Sequence, residues 1–154
     1  MRQSILRRAT LFLLFTNAAF AAAQQIRGPW RATSKNAQSI TGDVAISGEK
    51  IQIGFSIFPI SQIRPLGATE LKATFDLDAD ASGTGYLYKS NIPATVKFIK
   101  KNSLCGAETT QWVVAYTAGR TLQLAFFSSI KPPTFTPDAI ATTTDLCGIY
   151  TYAR

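Results

Sequence analysis

The chain has 154 residues, of which 16 are lysine or arginine and 9 are aspartate or glutamate, so its formal net charge is +7. It contains two cysteines and no histidine. Without histidine, Ser-His-Asp and Cys-His catalysis are excluded, and so are the usual zinc sites. Lysine- or carboxylate-based catalysis remains possible, but the sequence carries no signature of it. We therefore predict a protein that is not an enzyme, with no catalytic residue, no metal and no cofactor, and keep an enzyme that works without histidine as a further alternative.

The first predicted element is a signal peptide over residues 1–23. Three arginines stand within its first eight residues, and a short apolar run follows that ends in three alanines. The run is shorter than the about 20 apolar residues that cross a bilayer, which argues against the alternative of a membrane anchor. We expect cleavage after Ala23 or, at a second small-residue site, after Ala21. The protein is then periplasmic or secreted and does not span a membrane.

Removal of this segment leaves residues 24–154, which we predict to form a single domain. That part carries 13 basic and 9 acidic residues, so its net charge is about +4. A mildly basic exported protein meets anionic partners such as lipid head groups, acidic polysaccharides or acidic proteins, although such a charge also serves ordinary solubility. We do not expect nucleic acid as a partner in that compartment.

The remaining sequence is predicted to form about nine short strands linked mainly by hairpins. Alternation of apolar and polar residues marks strands with one buried face. A meander of this kind predicts an all-β fold, an antiparallel up-and-down barrel or sandwich of eight or nine strands. The predicted strands are Trp30 to Ser34, Ile40 to Ser47, Lys50 to Phe58, Thr69 to Asp78, Thr84 to Lys89, Thr95 to Lys100, Thr110 to Tyr116, Thr121 to Phe127 and Cys147 to Ala153.

Cys105 and Cys147 are the two cysteines, and in an exported chain we expect them to form one disulfide. If each predicted strand reverses the direction of the chain, the turns at Gly48, 80–83, 102–108 and 128–146 lie at one end of the barrel. Both cysteines then fall at that end, as a disulfide requires.

Gly28-Pro29-Trp30 heads the first predicted strand. A glycine-x-tryptophan at this place, followed by an antiparallel meander, resembles the opening motif of lipocalin-like (calycin) barrels. The resemblance implies that Trp30 plugs the closed end of the barrel, which the strand count places near the disulfide. That family packs an arginine from a late strand over the tryptophan, whereas the count places Arg120 and Arg154 at the opposite end.

Ser82-Gly83-Thr84-Gly85-Tyr86 resembles the S-G-x-x-Y element of bacterial periplasmic inhibitors of c-type lysozyme. In that family a loop with this serine enters the lysozyme cleft, and a lysine meets the catalytic carboxylates. The resemblance implies a partner-binding site of Ser82, Gly83, Tyr86 and Lys89, with Ser82 at a hairpin tip. The second motif of the family is missing, and serine-glycine is also a common turn.

Two further surfaces are candidates for binding. The segment from Phe58 to Leu66 is predicted to be a loop whose apolar side chains form a possible ligand mouth: Phe58, Ile60, Ile63 and Leu66. Lys97, Lys100 and Lys101 form either an anionic contact patch or protection against edge pairing. The sequence thus predicts a non-enzymatic binding module of the cell envelope. Its partner is either a small apolar or amphiphilic molecule inside the barrel or an envelope protein, with lysozyme inhibition as the sharpest version of the second alternative.

Overall fold

A computed structural model describes residues 26–154, and the predicted signal peptide lies outside them. Within this range, eight antiparallel strands form a closed barrel in which each strand pairs with its sequence neighbours and β1 pairs with β8. The prediction of an all-β antiparallel barrel is confirmed. The elements are β1 (Gly28–Ala32), β2 (Val44–Ser47), β3 (Lys50–Ile53), β4 (Ser56–Leu66), α1 (Ala68–Phe75), β5 (Thr84–Ile92), β6 (Thr110–Ala118), β7 (Thr121–Phe127), α2 (Pro137–Thr142) and β8 (Leu146–Ala153).

The up-and-down order gives the barrel two ends. The Arg154 end holds the last residue, the start of β1, the β2–β3 and β6–β7 turns and the α1 connection. The disulfide end holds the other four connections, including the disulfide between Cys105 and Cys147, whose Cα atoms are 4.9 Å apart. The predicted disulfide is confirmed.

The barrel interior is a continuous apolar core to which all eight strands contribute. Strand residues alternate between the two faces, so every second side chain points inward. Six of the inward residues have no solvent-accessible surface, which means that no water-sized space adjoins them: Ile51, Ile53, Leu122, Leu124, Phe126 and Tyr152.

A second apolar cluster covers the outside of the barrel over β5, β6 and β7. Leu71 and Phe75 from α1 and Phe135 from the β7–β8 connection pack there against outward residues such as Trp112. Gly85 permits this layer, because a Cβ on it would lie 2.3 Å from the Leu71 side chain. Part of the outer face is therefore buried as thoroughly as the interior.

The prediction of a strand over Thr69 to Asp78 is wrong, because Ala68–Phe75 is the helix α1. Leu71 and Phe75 suit both structures: they stand four residues apart and so share one helix face, but they also fall on one face of a strand. An N-terminal capping contact favours the helix, since Glu70 accepts a hydrogen bond from the Gly67 backbone N–H at 2.9 Å.

The predicted single strand Lys50 to Phe58 is in fact a hairpin of β3 and β4. Its turn is at Gly54, whose φ of 57° favours glycine. The turn changes which residues face inward, so Phe58 and Ile60 are buried whereas Phe55 and Ile57 are exposed. The loop predicted after Phe58 is the continuation of β4 to Leu66.

The prediction of a strand over Thr95 to Lys100 is also wrong, because this segment is irregular and ends in a tight turn at Ile99–Lys101 whose backbone angles are not helical. Because the chain has no strand here, every later strand runs in the direction opposite to the predicted one. The connections at 102–108 and 128–146 therefore lie opposite Gly48 and not beside it. Both cysteines are reassigned to the same end of the barrel, so the miscounted strand does not affect the prediction of the disulfide.

Candidate functional site

Trp30 closes the Arg154 end of the barrel. Its side chain is 1% exposed, and its indole N–H donates a hydrogen bond to the Ile26 carbonyl at 2.9 Å. The Arg154 guanidinium lies over the ring with its Cζ 4.2 Å from the centroid, and it donates to the Arg27 carbonyl at 2.8 Å. The placement of Trp30 near the disulfide and far from Arg154 is therefore wrong, for the same reason of strand count.

The β5–β6 connection, residues 93–109, closes the disulfide end, and we call it the lid. Leu104 is 5% exposed and belongs to the interior core, against which Val96 and Phe98 also pack. Phe98 meets the inward Phe58 edge to face, with ring centroids 6.2 Å apart. The disulfide from Cys105 then fixes the lid to β8. Both ends of the barrel are thus covered by side chains of the protein itself.

Three tyrosines add hydroxyl groups to this apolar interior. Tyr152 and Thr41 share a buried hydrogen bond of 2.8 Å between their hydroxyl oxygens. Burial raises the pKa of Tyr88 to about 12, and burial also raises the pKa values of Tyr150 and Tyr152. Charging these groups inside the barrel is unfavourable because the surroundings cannot solvate a phenolate.

We therefore expect the protein to lose stability as the pH rises above about 10. An unfolded tyrosine releases its proton near pH 10, whereas the folded protein retains it, so each such residue lowers the unfolding free energy by up to about 1.4 kcal/mol per pH unit. Below pH 10 the contribution is fully present. Urea midpoints at pH 9, 10 and 11 measure the slope, and Tyr152→Phe should reduce it. Equal slopes for the two proteins would contradict this assignment.

Two hollows lie at the surface of the protein. One, of about 390 Å³, is a surface cleft beside the disulfide, lined among others by Glu108, Ser128 and Asp145. The other, of about 320 Å³, lies beneath α2 and the proline-rich part of the β7–β8 connection. The first borders the interior core through Leu104 and the disulfide, whereas the second is lined by residues of the outer cluster such as Phe127 and Ile140.

Exposed apolar and basic side chains lie together at the disulfide end. Phe55 is fully exposed at the tip of the β3–β4 turn, and Ile57 and Ile99 are 61% and 39% exposed. We call the Phe55 surface the set of six exposed side chains here, three apolar and three basic: Phe55, Ile57, Ile99, Lys97, Lys100 and Lys101.

The connection between β1 and β2 links the two parts of the Phe55 surface. A Cβ on Gly54, the residue before Phe55, would lie 3.9 Å from the Thr41 carbonyl oxygen. On the other side, the Ile99 side chain comes within 3.1 Å of the Cβ position of Gly42. Gly54 and Ile99 therefore adjoin two neighbouring residues of this connection, Thr41 and Gly42.

One acidic residue stands next to the Phe55 surface. The Gly54 backbone N–H donates to the Asp43 carbonyl at 3.4 Å, and the Asp43 carboxylate accepts a hydrogen bond from the Ala32 backbone N–H at 2.9 Å. Glu108 and Asp145 line the cleft beside the disulfide. Three lysines outnumber the Asp43 carboxylate, which gives this part of the surface a net positive charge.

The structure separates the residues predicted as a lysozyme-binding site. Ser82 and Gly83 are exposed in the connection between α1 and β5, at the Arg154 end, so Ser82 does not lie at a hairpin tip. Tyr86 packs against the interior core, whereas Lys89 is on the outer face of β5. There the Lys89 ammonium lies 4.1 Å from the Trp112 ring centroid and donates to Gln111 at 2.8 Å.

The residues predicted as a ligand mouth are likewise divided between faces of β4. Phe58 and Ile60 point into the barrel core, while Leu66 packs on the outside in the cluster with α1. Ile63 is 52% exposed beside the bulge in the pairing of β4 with β5. The four side chains therefore do not form one opening.

Comparison with known proteins finds no protein-family model, no curated protein and no solved structure that matches the chain significantly. Among residues 26–154, no helix is long and apolar enough to cross a membrane. In that described range, no three histidine, cysteine, aspartate or glutamate side chains are grouped to hold a metal ion.

Proposed function

We propose that the protein is an exported, non-enzymatic binding module of the cell envelope, and that it binds its partner with its outer surface and not inside the barrel. The observation that carries this proposal is the filled interior. Core residues such as Phe126 and Leu124 adjoin no water-sized space, and side chains cover both ends of the barrel. A ligand of drug size needs a pocket of about 300 Å³ or more, and the two hollows described above are surface clefts, of which one borders the interior core at Leu104.

The contact between Trp30 and Arg154 supports kinship with lipocalin-like barrels as a finer version of the proposal. A late arginine over the first-strand tryptophan is what the resemblance implies, and the centroid distance of 4.2 Å fits it. The filled core argues that this chain keeps the scaffold of such barrels without an interior ligand site. We then expect the partner to bind to the connections at the barrel ends, because binding residues commonly lie on loops that a rigid scaffold positions.

Inhibition of c-type lysozyme is the alternative version, favoured by the exposure of Ser82 and Gly83. Packing offers a second explanation for the glycines of this element. A Cβ on Gly83 would lie 2.5 Å from the Thr117 carbonyl oxygen, and Gly85 makes room for Leu71. The Phe55 surface, at the opposite end, combines exposed apolar area with unneutralised charge, and we therefore favour it as the binding region.

We expect the exported protein to co-sediment with isolated bacterial cell envelopes and to bind no apolar probe in its interior. In a fluorescence titration with N-phenyl-1-naphthylamine, wild type should show no saturable binding. Phe126→Ala, or Leu124→Ala where the first variant does not fold, should bind the probe, because each opens an apolar cavity in the core.

Three results would overturn parts of this proposal. Saturable binding of one probe molecule by wild type would restore the interior-ligand alternative. Micromolar inhibition of c-type lysozyme that Ser82→Trp abolishes would favour the inhibitor alternative. Absence of the protein from the sedimented envelopes, at low as well as moderate salt, would contradict an envelope binding module.

A further inference from the structure

We propose that the Phe55 surface docks onto the anionic head-group layer of a lipid bilayer, with Phe55 inserted between head groups and the three lysines next to the phosphates. The inference rests on the proposed function and names its partner. The protein then lies on a membrane and does not cross it.

The exposure of Phe55 is the first observation. It stands at the tip of a two-residue turn, fully exposed, and Ile57 and Ile99 are further exposed apolar side chains at the same end of the barrel. An isolated exposed isoleucine is ordinary, but a protruding phenylalanine beside two more apolar side chains marks a contact surface. Burying a phenylalanine side chain is worth about tenfold or more in affinity, so one inserted ring contributes measurably.

The backbone of the lysine segment is the second observation. Lys100 and Lys101 have φ values of 52° and 60°, two of the three non-glycine residues with positive φ among residues 26–154. Two adjacent lysines seldom adopt this left-handed conformation, and such outliers concentrate at functional positions. The turn is closed by the Asn102 backbone N–H, which donates to the Ile99 carbonyl at 3.1 Å. Its geometry keeps Ile99 next to Gly42 and both lysines exposed.

The charge of the Phe55 surface favours a lipid over a protein partner. Lysine is depleted from protein–protein interfaces, which prefer arginine and aromatic residues around a packed centre. Lysines around protruding apolar side chains are typical of proteins that lie on anionic bilayers, where each lysine raises the affinity about fivefold. The three lysines outnumber Asp43, an acid adjacent to this surface. A protein partner of acidic character is the competing outcome of the test.

The test uses the protein as exported, after removal of the predicted signal peptide, in flotation assays with two kinds of vesicle. One contains phosphatidylcholine alone, and the other contains phosphatidylcholine with about one-third phosphatidylglycerol. We expect binding to the anionic vesicles, weak or no binding to the neutral ones, and a marked loss of binding when the salt is raised, because the lysine contribution is screened.

Matched variants assign the binding to the Phe55 surface. Phe55→Ser should weaken binding about tenfold, whereas Ile63→Ser, which removes an exposed isoleucine from the side of the barrel, should not. The double variant K100Q/K101Q should weaken binding by about 25-fold. K50Q/R31Q makes the same change in net charge outside the Phe55 surface and should have a much smaller effect. All variants are produced by the same export route, so a contribution of any residues before Ile26 is common to them.

Failure of the lipid proposal is distinguishable from failure of the proposed function. If anionic vesicles do not bind the protein, or if Ile63→Ser and K50Q/R31Q weaken binding as much as the Phe55-surface variants, the lipid proposal is overturned. If cell envelopes still bind the protein in that case, and protease treatment of the envelopes abolishes the binding, the partner is a protein and the proposed function stands. If neither vesicles nor envelopes bind it, both proposals fall. Unchanged circular dichroism and melting temperature exclude unfolding of the variants.

Discussion

Replacing Cys105 and Cys147 together by serine is expected to lower the free energy of unfolding by about 4 kcal/mol. The two residues are 42 positions apart, so the disulfide restricts a long loop in the unfolded chain. It also fixes the lid to β8 over the disulfide end of the barrel. The far-ultraviolet circular dichroism of the barrel should remain, because the strand ladder closes without the bond.

Urea unfolding of oxidised wild type, reduced wild type and the double serine variant measures this effect. Reduced wild type and the variant should agree, and the reductant should not change the variant. Hydrogen exchange at the lid residues Phe98 and Leu104 should accelerate more than exchange in β6 and β7, since the lid loses its covalent attachment. A change in unfolding free energy below about 1 kcal/mol would contradict the structural role given to the bond.

The barrel itself could be predicted from the sequence because its strands obey a simple rule. β5 to β8 alternate apolar and polar residues or carry turn residues between them, and the predicted strands at these places are found. Alternation does not identify a strand where the spacing of the apolar residues also fits a helix. Leu71 and Phe75 fit a strand and a helix equally, and only the capping interaction of Glu70 distinguishes the two.

The candidate binding surface could not be predicted as such, because it depends on a turn of two residues. With Gly54 in a strand, Phe55 would belong to an alternating row with Ile51 and Ile53; with Gly54 in a turn, it becomes an exposed tip. A glycine inside an otherwise regular strand pattern was the available signal. The sequence indicates the lysines of the lid as a candidate anionic contact patch. That they lie at the same end of the barrel as Phe55 follows from the course of the lid over the disulfide end.

The relation between Trp30 and Arg154 shows the limit of counting strands. The prediction of an additional strand at 95–100 places Trp30 and Arg154 at opposite ends of the barrel. In the structure, the Arg154 guanidinium is in contact with the Trp30 ring. Local pattern determines each strand, but the end at which a residue lies depends on the number of all reversals before it. An error in a single irregular segment therefore changes every later assignment.

Trp30→Ala is expected to lower the free energy of unfolding by about 3–5 kcal/mol, the cost of removing a large aromatic side chain from a packed core. Trp112 offers a matched comparison within the chain. Its indole N–H also donates to a backbone carbonyl at 2.9 Å, and the Lys89 ammonium lies 4.1 Å from its ring centroid. It packs in the outer cluster, however, and is 7% exposed, so Trp112→Ala should cost less than Trp30→Ala.

The contribution of Arg154 is separated by a double-mutant cycle of Trp30→Phe and Arg154→Gln in urea unfolding experiments. A guanidinium over an indole at a partly exposed site is worth about 0.5–1 kcal/mol, and a phenyl ring attracts the cation more weakly than an indole. The two changes should therefore be less than additive by part of that amount. If they add fully, the arginine stabilises the end of the barrel through its hydrogen bond to the Arg27 carbonyl and not through the ring. Coupling would instead mean that Trp30 and Arg154 act as one unit that closes the barrel, so that substituting either residue should also increase entry of an apolar probe into the core.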